Sequence, residues 1–252
     1  KMAMPIWSAD HEHGCACAAC IEENIENSRG EARSEGADGA SVHAHEHALV
    51  TDHLWDGASL TFSFPDRSDL FGQGNTMSAN YGTGENVDGF SALSGTQSVA
   101  AAFALSQFAA VSGLNFECLE GDAAAMADIR FGQSSQPSTA WGYYPSEFEE
   151  GGDIWLGSGA GYYDNPAAGG YAWHTILHET SHALGLRHGH AAGALAADHD
   201  SMEHSVMTSR AFVGDPILCG YSNAPGSFAH TLISDDLAPA QDPTAAHYDP
   251  PS

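Results

Sequence analysis

Residues 178 to 188 read His-Glu-Thr-Ser-His-Ala-Leu-Gly-Leu-Arg-His, and no other run constrains the fold as tightly. His178 and His182 are one helical turn apart, so on a helix both imidazoles project from the same face. Glu179 is then offset around the helix, beside that pair and outside it. Gly185 can adopt positive φ without a side-chain penalty, so the chain can leave the helix sharply and bring His188 back to the same face. The run therefore predicts a helix, a left-handed stop and a return, with His178, His182 and His188 as ligands of one metal ion and Glu179 as a carboxylate next to it. A His-Glu-x-x-His alone occurs by chance on helices. Here the glycine and the distal histidine agree with it in a segment whose helical period is visible independently.

The rest of the chain offers a frame for that helix. With 252 residues and 42% hydrophobic content, it can bury one sizeable core. Residues 1–48 are rich in Glu, Ala, Gly, Ser and His and poor in aromatic and β-branched residues, which predicts a poorly ordered acidic tail or propeptide ahead of one domain at 49–252. An alternating apolar strand is expected at 60–64, stopped by Pro65 and Asp66, followed by a long surface loop at 66–92. Ser94 and Gln97 form a capping-box pair, and Gly113 suits a left-handed end, so a helix is expected at 95–112, buried through Val99, Phe103, Leu105, Phe108 and Val111. Further strands are expected at 114–118, 128–132 and 153–157, and a second main helix at 171–184. Together these predict an α+β domain, with an α/β arrangement in its first part.

Charge excludes some functions. Seven Lys and Arg stand against 33 Asp and Glu, a formal net charge of −26 that repels nucleic acid and anionic membranes. No run of about 18 apolar residues is present, so no membrane span is expected. The segment after Lys1 also lacks the pattern of a cleavable secretory signal. Of the five cysteines, Cys15, Cys17 and Cys20 are bunched in the tail, and Cys118 and Cys219 could pair if the fold brings them together.

Three imidazoles with one position open suit zinc, which lowers the pKa of bound water from about 15.7 toward about 7. Glu179 then has the position of a general base that takes the proton from water and delivers it to a leaving amine. The expected function is a zinc-dependent endopeptidase acting on polypeptides. The alternative is a catalytically weak or silent zinc-binding surface or adhesion module on the same fold. Glu179 argues for chemistry, because a module that only bound metal has no need of it. A metal-buffering role for the fifteen histidines is weak, since ten fall within the expected domain.

The motif His178-Glu179-x-x-His182-x-x-Gly185-x-x-His188, followed by Ser205-Val206-Met207-Thr208, resembles the metzincin metallopeptidases with their methionine turn. Leu60-Thr61-Phe62-Ser63-Phe64-Pro65, Leu114-Asn115-Phe116, Ile129-Arg130-Phe131-Gly132 and Ala183-Leu184-Gly185-Leu186 are similar to the serralysin branch, peptidase family M10. The resemblance implies a secreted, extracellular bacterial enzyme with a twisted mixed sheet, two main helices and an irregular C-terminal subdomain. It implies that Met207 floors the zinc without ligating it, and that substrate pairs in extended form along an edge strand near residues 154–156. Calcium is a second cation that the resemblance allows and the residues do not derive. Three features depart from the family: Ser209 stands where a tyrosine is usual, glycine-rich calcium-binding repeats do not occur in the 252 residues, and Pro239 should shorten or kink a helix expected at 234–241. Arg210 and Tyr221 are other donors that nothing in the sequence places near the metal.

Other histidines and cysteines carry weaker signals. A thiolate from Cys15, Cys17 or Cys20, beside His11 and His13, could fill the open zinc position and make the tail autoinhibitory; an acidic leader with incidental cysteines is the plainer reading. His43, His45 and His47 would share one side of an extended segment and chelate weakly. His174 belongs behind the site at most, and the motif does not need His190, His199 or His204.

Overall fold

The computed structural model describes residues 48–72, 81–191, 194–216 and 222–241. The tail cysteines and histidines, Cys219 and Tyr221 lie outside these residues. The chain forms β1 (Ser59–Ser63), α1 (Gly95–Ser112), β2 (Asn115–Leu119), β3 (Ile129–Ser134), β4 (Ala140–Gly142), β5 (Ile154–Gly157), α2 (Tyr171–Ala183) and α3 (Ser234–Gln241), with short 3-10 turns at Ser68–Leu70 and Gly121–Met126. The class is α+β, built on a mixed five-stranded sheet of order β2-β1-β3-β5-β4. All neighbours are parallel except β4 and β5, whose register pairs Trp141 with Trp155.

The period of two along the strands sends alternate side chains into two separate cores. Ile154 and Leu156 of β5 and Ala140 of β4 join Leu60, Ile129 and Phe131 against the helices. Trp155 and Trp141 point the other way, into a cluster with Phe71, Tyr81 and Tyr143. That second cluster corrects the expected surface loop at 66–92. Tyr81, Glu85 and Asn86 are buried, and Glu85 accepts hydrogen bonds from Trp141 Nε1 at 2.8 Å and from the Tyr143 hydroxyl. Beside it, Asp153 receives Arg130 Nε at 2.6 Å and the Tyr81 hydroxyl. Glycine and asparagine dominate the composition of this stretch, but its aromatics cover the face of the sheet that the helices leave open.

In α1 the capping box is present, with Ser94 N–H donating to Gln97 Oε1 at 2.7 Å, and Gly113 closes the helix at φ 72°. The buried stripe is Gln97, Ala100, Ala101, Ala104, Leu105 and Phe108, one face at helical spacing. Val99 is 69% exposed, so the burial expected at that position does not occur. Phe103 instead packs on Trp173 of α2, with ring centroids 4.7 Å apart.

Two strand expectations also change. β4 forms at 140–142, where no strand was expected, and it, not β5, lies at that edge of the sheet; residues 154–156 are paired on both sides. Gly142 of β4 lets α2 approach closely, since a Cβ there would lie 2.5 Å from the Glu179 carbonyl oxygen. Cys118 is an exposed free thiol on β2. Among the described residues, no helix is long and apolar enough to cross a membrane.

Candidate metal centre

α2 ends in a Schellman arrangement: Leu186 N–H donates to Ser181 O at 3.0 Å, Gly185 N–H donates to His182 O at 2.8 Å, and Gly185 sits at φ 93°. The returning chain is strapped by the first described residues. Val50 bridges Leu186 in antiparallel fashion, with Thr51 N–H donating to Gly185 O at 2.9 Å and Arg187 N–H donating to Leu49 O at 2.8 Å. Trp55 Nε1 caps the helix end through Ala183 O at 2.8 Å. A Cβ on Gly185 would meet His53 O at 2.4 Å, so glycine is required there for space as well as for φ.

This geometry brings His178, His182 and His188 together, all buried. Their Nε2 atoms form a nearly equilateral triangle: 3.1 Å from His182 to His178, and 3.2 Å from His188 to each of the others. His178 Nδ1 is 2.7 Å from Val206 O, and His182 Nδ1 is 2.7 Å from Leu186 O. A carbonyl only accepts, so each Nδ1 carries the hydrogen and each Nε2 keeps a lone pair aimed at the common centre. Two acceptor nitrogens 3.1 Å apart cannot hydrogen bond to each other; a cation between them resolves the repulsion.

The triangle also fits the ion's size. Three corners of a tetrahedron with zinc–nitrogen bonds of about 2.0–2.1 Å are about 3.3 Å apart. Burial holds these histidines in the neutral form that a metal ion requires. It pushes His178 down to about 3, aided by the neighbouring His182, and drives His188 well below the ordinary histidine value, so both are neutral near pH 7.

Glu179 follows the first of these histidines on α2 and is fully buried. Met207 is fully buried too, and its carbonyl receives Gly189 N–H at 2.8 Å, which ties the turn at 205–207 to the residue after His188. That turn is held in place by Asp236 of α3. Its carboxylate accepts Ser205 Oγ at 2.6 Å, Val206 N–H at 3.1 Å and Ile233 N–H at 2.8 Å. The Val206 carbonyl orients His178, so α3 acts on that ring through two hydrogen bonds.

Sequence reasoning missed both Asp236 and the strap at 48–51. Asp236 is one of two adjacent aspartates in an ordinary helix start, and no local pattern marks it.

Other side chains sort by distance from the triangle. His174 is buried with its ring 6.2 Å from that of His178, and burial drives it down to about 3. His190 stacks on His188 at 5.0 Å. Tyr144, just past the edge strand, stands perpendicular to His182 with ring centroids 5.5 Å apart. Ser209 is buried, and Arg210 is held by Asp200 at 2.9 Å and by the Asp215 carbonyl.

The sequence matches no known protein-family model and no curated protein.

Proposed function

We propose that the chain is a zinc-dependent endopeptidase of metzincin type, secreted from the cell. The observation that carries this reading is the triangle of lone-pair-bearing Nε2 atoms with a buried glutamate next in sequence to one of them. His178, His182 and His188 would hold the ion through neutral imidazoles. A zinc ion bound there supplies Lewis acidity, lowering the pKa of water and polarising a substrate carbonyl. Glu179 accepts the proton of the attacking water on its carboxylate and returns it to the departing amine nitrogen, so no covalent intermediate with the protein forms. The protein backbone fixes the rest: Val206 and Leu186 carbonyls hold two rings in one tautomer, which prepays the ordering of the ligands. An extended polypeptide would add to the sheet at the edge strand β4, which packs against α2.

Ser209 supports a second reading, a zinc-binding surface module with little turnover. No tyrosine follows Met207 at the usual spacing, and Arg210 is tied to Asp200 and Asp215. Cleavage of unfolded casein decides between them, measured after chelation, after zinc is restored and with Glu179→Ala. The peptidase reading expects activity that chelator abolishes and zinc restores, and a loss on the order of 100-fold or more in Glu179→Ala with zinc still bound. Stoichiometric zinc with intact casein would instead support the module.

A further inference from the structure

The loop between His188 and Met207 carries a second set of donors that the proposed peptide chemistry does not use. His199 and His204 stack with ring centroids 4.3 Å apart and planes inclined by 21°. His199 Nδ1 lies 2.7 Å from Asp235 Oδ2 on the first turn of α3. One ligand-type atom from each of the three residues lies within 4.8 Å of the others, and all three side chains are partly exposed. Solvent can therefore deliver an ion and complete its coordination.

We propose that His199, His204 and Asp235 form a second divalent-metal site, which takes a zinc-class ion and clamps the loop to α3. The donor chemistry selects the ion. Two imidazoles and a carboxylate suit borderline transition ions, whereas magnesium and calcium prefer oxygen ligands throughout. Donors sharing such an ion stand about 3 Å apart, so the cluster contracts on binding, by rotation of these partly exposed side chains. The backbone around it is already joined, because Asp235 N–H donates to His204 O at 3.0 Å.

The position gives the site a role. Ser205 and Val206 follow His204 and bond to Asp236, the neighbour of Asp235, and the Val206 carbonyl orients His178. An ion held by His199, His204 and Asp235 therefore braces the joint on which the first of the three buried histidines depends. The inference rests on these three residues and not on the peptidase reading.

The test strips the 252-residue chain with chelator, titrates it with zinc and counts bound zinc after gel filtration. His204→Ala, Asp235→Asn, His182→Ala and the double variant His182→Ala/His204→Ala run in parallel. Wild type should hold one equivalent more than His204→Ala and one more than Asp235→Asn, and the double variant should hold one fewer than His182→Ala. His182→Ala on its own reports the buried triangle, so failure of one site is distinct from failure of the other. Asp235→Asn keeps the side-chain shape and decides the matter if His204→Ala does not fold. In the His182→Ala background, zinc should raise Tm by on the order of 5 °C, and the rise should vanish in the double variant. Equal zinc in wild type and Asp235→Asn, or no rise of Tm in His182→Ala, would leave only a hydrogen-bonded His199–Asp235 pair and overturn the proposal.

Discussion

Gly185 shows how much of the candidate metal centre depends on one backbone angle. At φ 93° any other residue is strained, and the Cβ of an alanine would stand 2.4 Å from the His53 carbonyl that borders the strap. The conformational cost alone is about 1–2 kcal/mol, and the clash adds to it by pushing the strap off the returning chain. Gly185→Ala should therefore lower the urea midpoint and weaken zinc binding together, because Leu186 and Arg187 deliver His188. Gly159→Ala is the control: a Cβ there meets nothing within 4 Å, and its stability should stay within about 0.5 kcal/mol of wild type. If Gly185→Ala bound zinc as tightly as the control, the strap would have no part in placing the third histidine.

At the scale of elements, α1 separates what a sequence states locally from what it leaves to the fold. Ser94, Gln97 and Gly113 act within a turn of the helix end, and both ends fall where they predict. The buried face is a different matter, because apolar and alanine positions run around the whole helix and no period stands out. The sheet chose the stripe through Ala101, Leu105 and Phe108 and left Val99 in solvent. Phe108→Ala should cost about 3–5 kcal/mol in denaturant unfolding, while Val99→Ala should change stability by less than about 0.5 kcal/mol. Similar costs at both positions would contradict the packing. The same division holds at the candidate site. Helical spacing brings His178 and His182 together, and Gly185 announces the return of His188. Val50, Asp236 and Glu85 reach their partners across long stretches of chain, and the sheet edge depends on strand order, which no local pattern encodes.

For the whole molecule, the buried titratable groups set a pH dependence whose sign follows from two opposed sets. His174 and His178 are driven down to about 3 by burial, and His188 is driven well below the ordinary histidine value, so in this window the folded chain binds fewer protons at these sites than the unfolded chain. Stability from such groups is present above the unfolded value near 6.5 and is lost as pH falls through it. Asp153 and Asp236 behave in the opposite way. Burial raises both to about 6, against the pull of Arg130 on Asp153 and of the Ser205 hydroxyl on Asp236, so their contribution is greatest at low pH and is lost as pH rises through 6. Between pH 7 and 5.5, each histidine removes on the order of 1 kcal/mol and each carboxyl restores somewhat less. Three histidines against two carboxyls leave a net loss of about 2 kcal/mol on acidification of the metal-free chain. Urea unfolding in chelator at pH 7 and pH 5.5 measures the difference. With zinc restored the loss should grow, since protons then compete with the ion for the same nitrogens. A metal-free chain as stable at pH 5.5 as at pH 7 would mean that the histidines take up protons without unfolding, and the neutral, buried triangle would have to be abandoned.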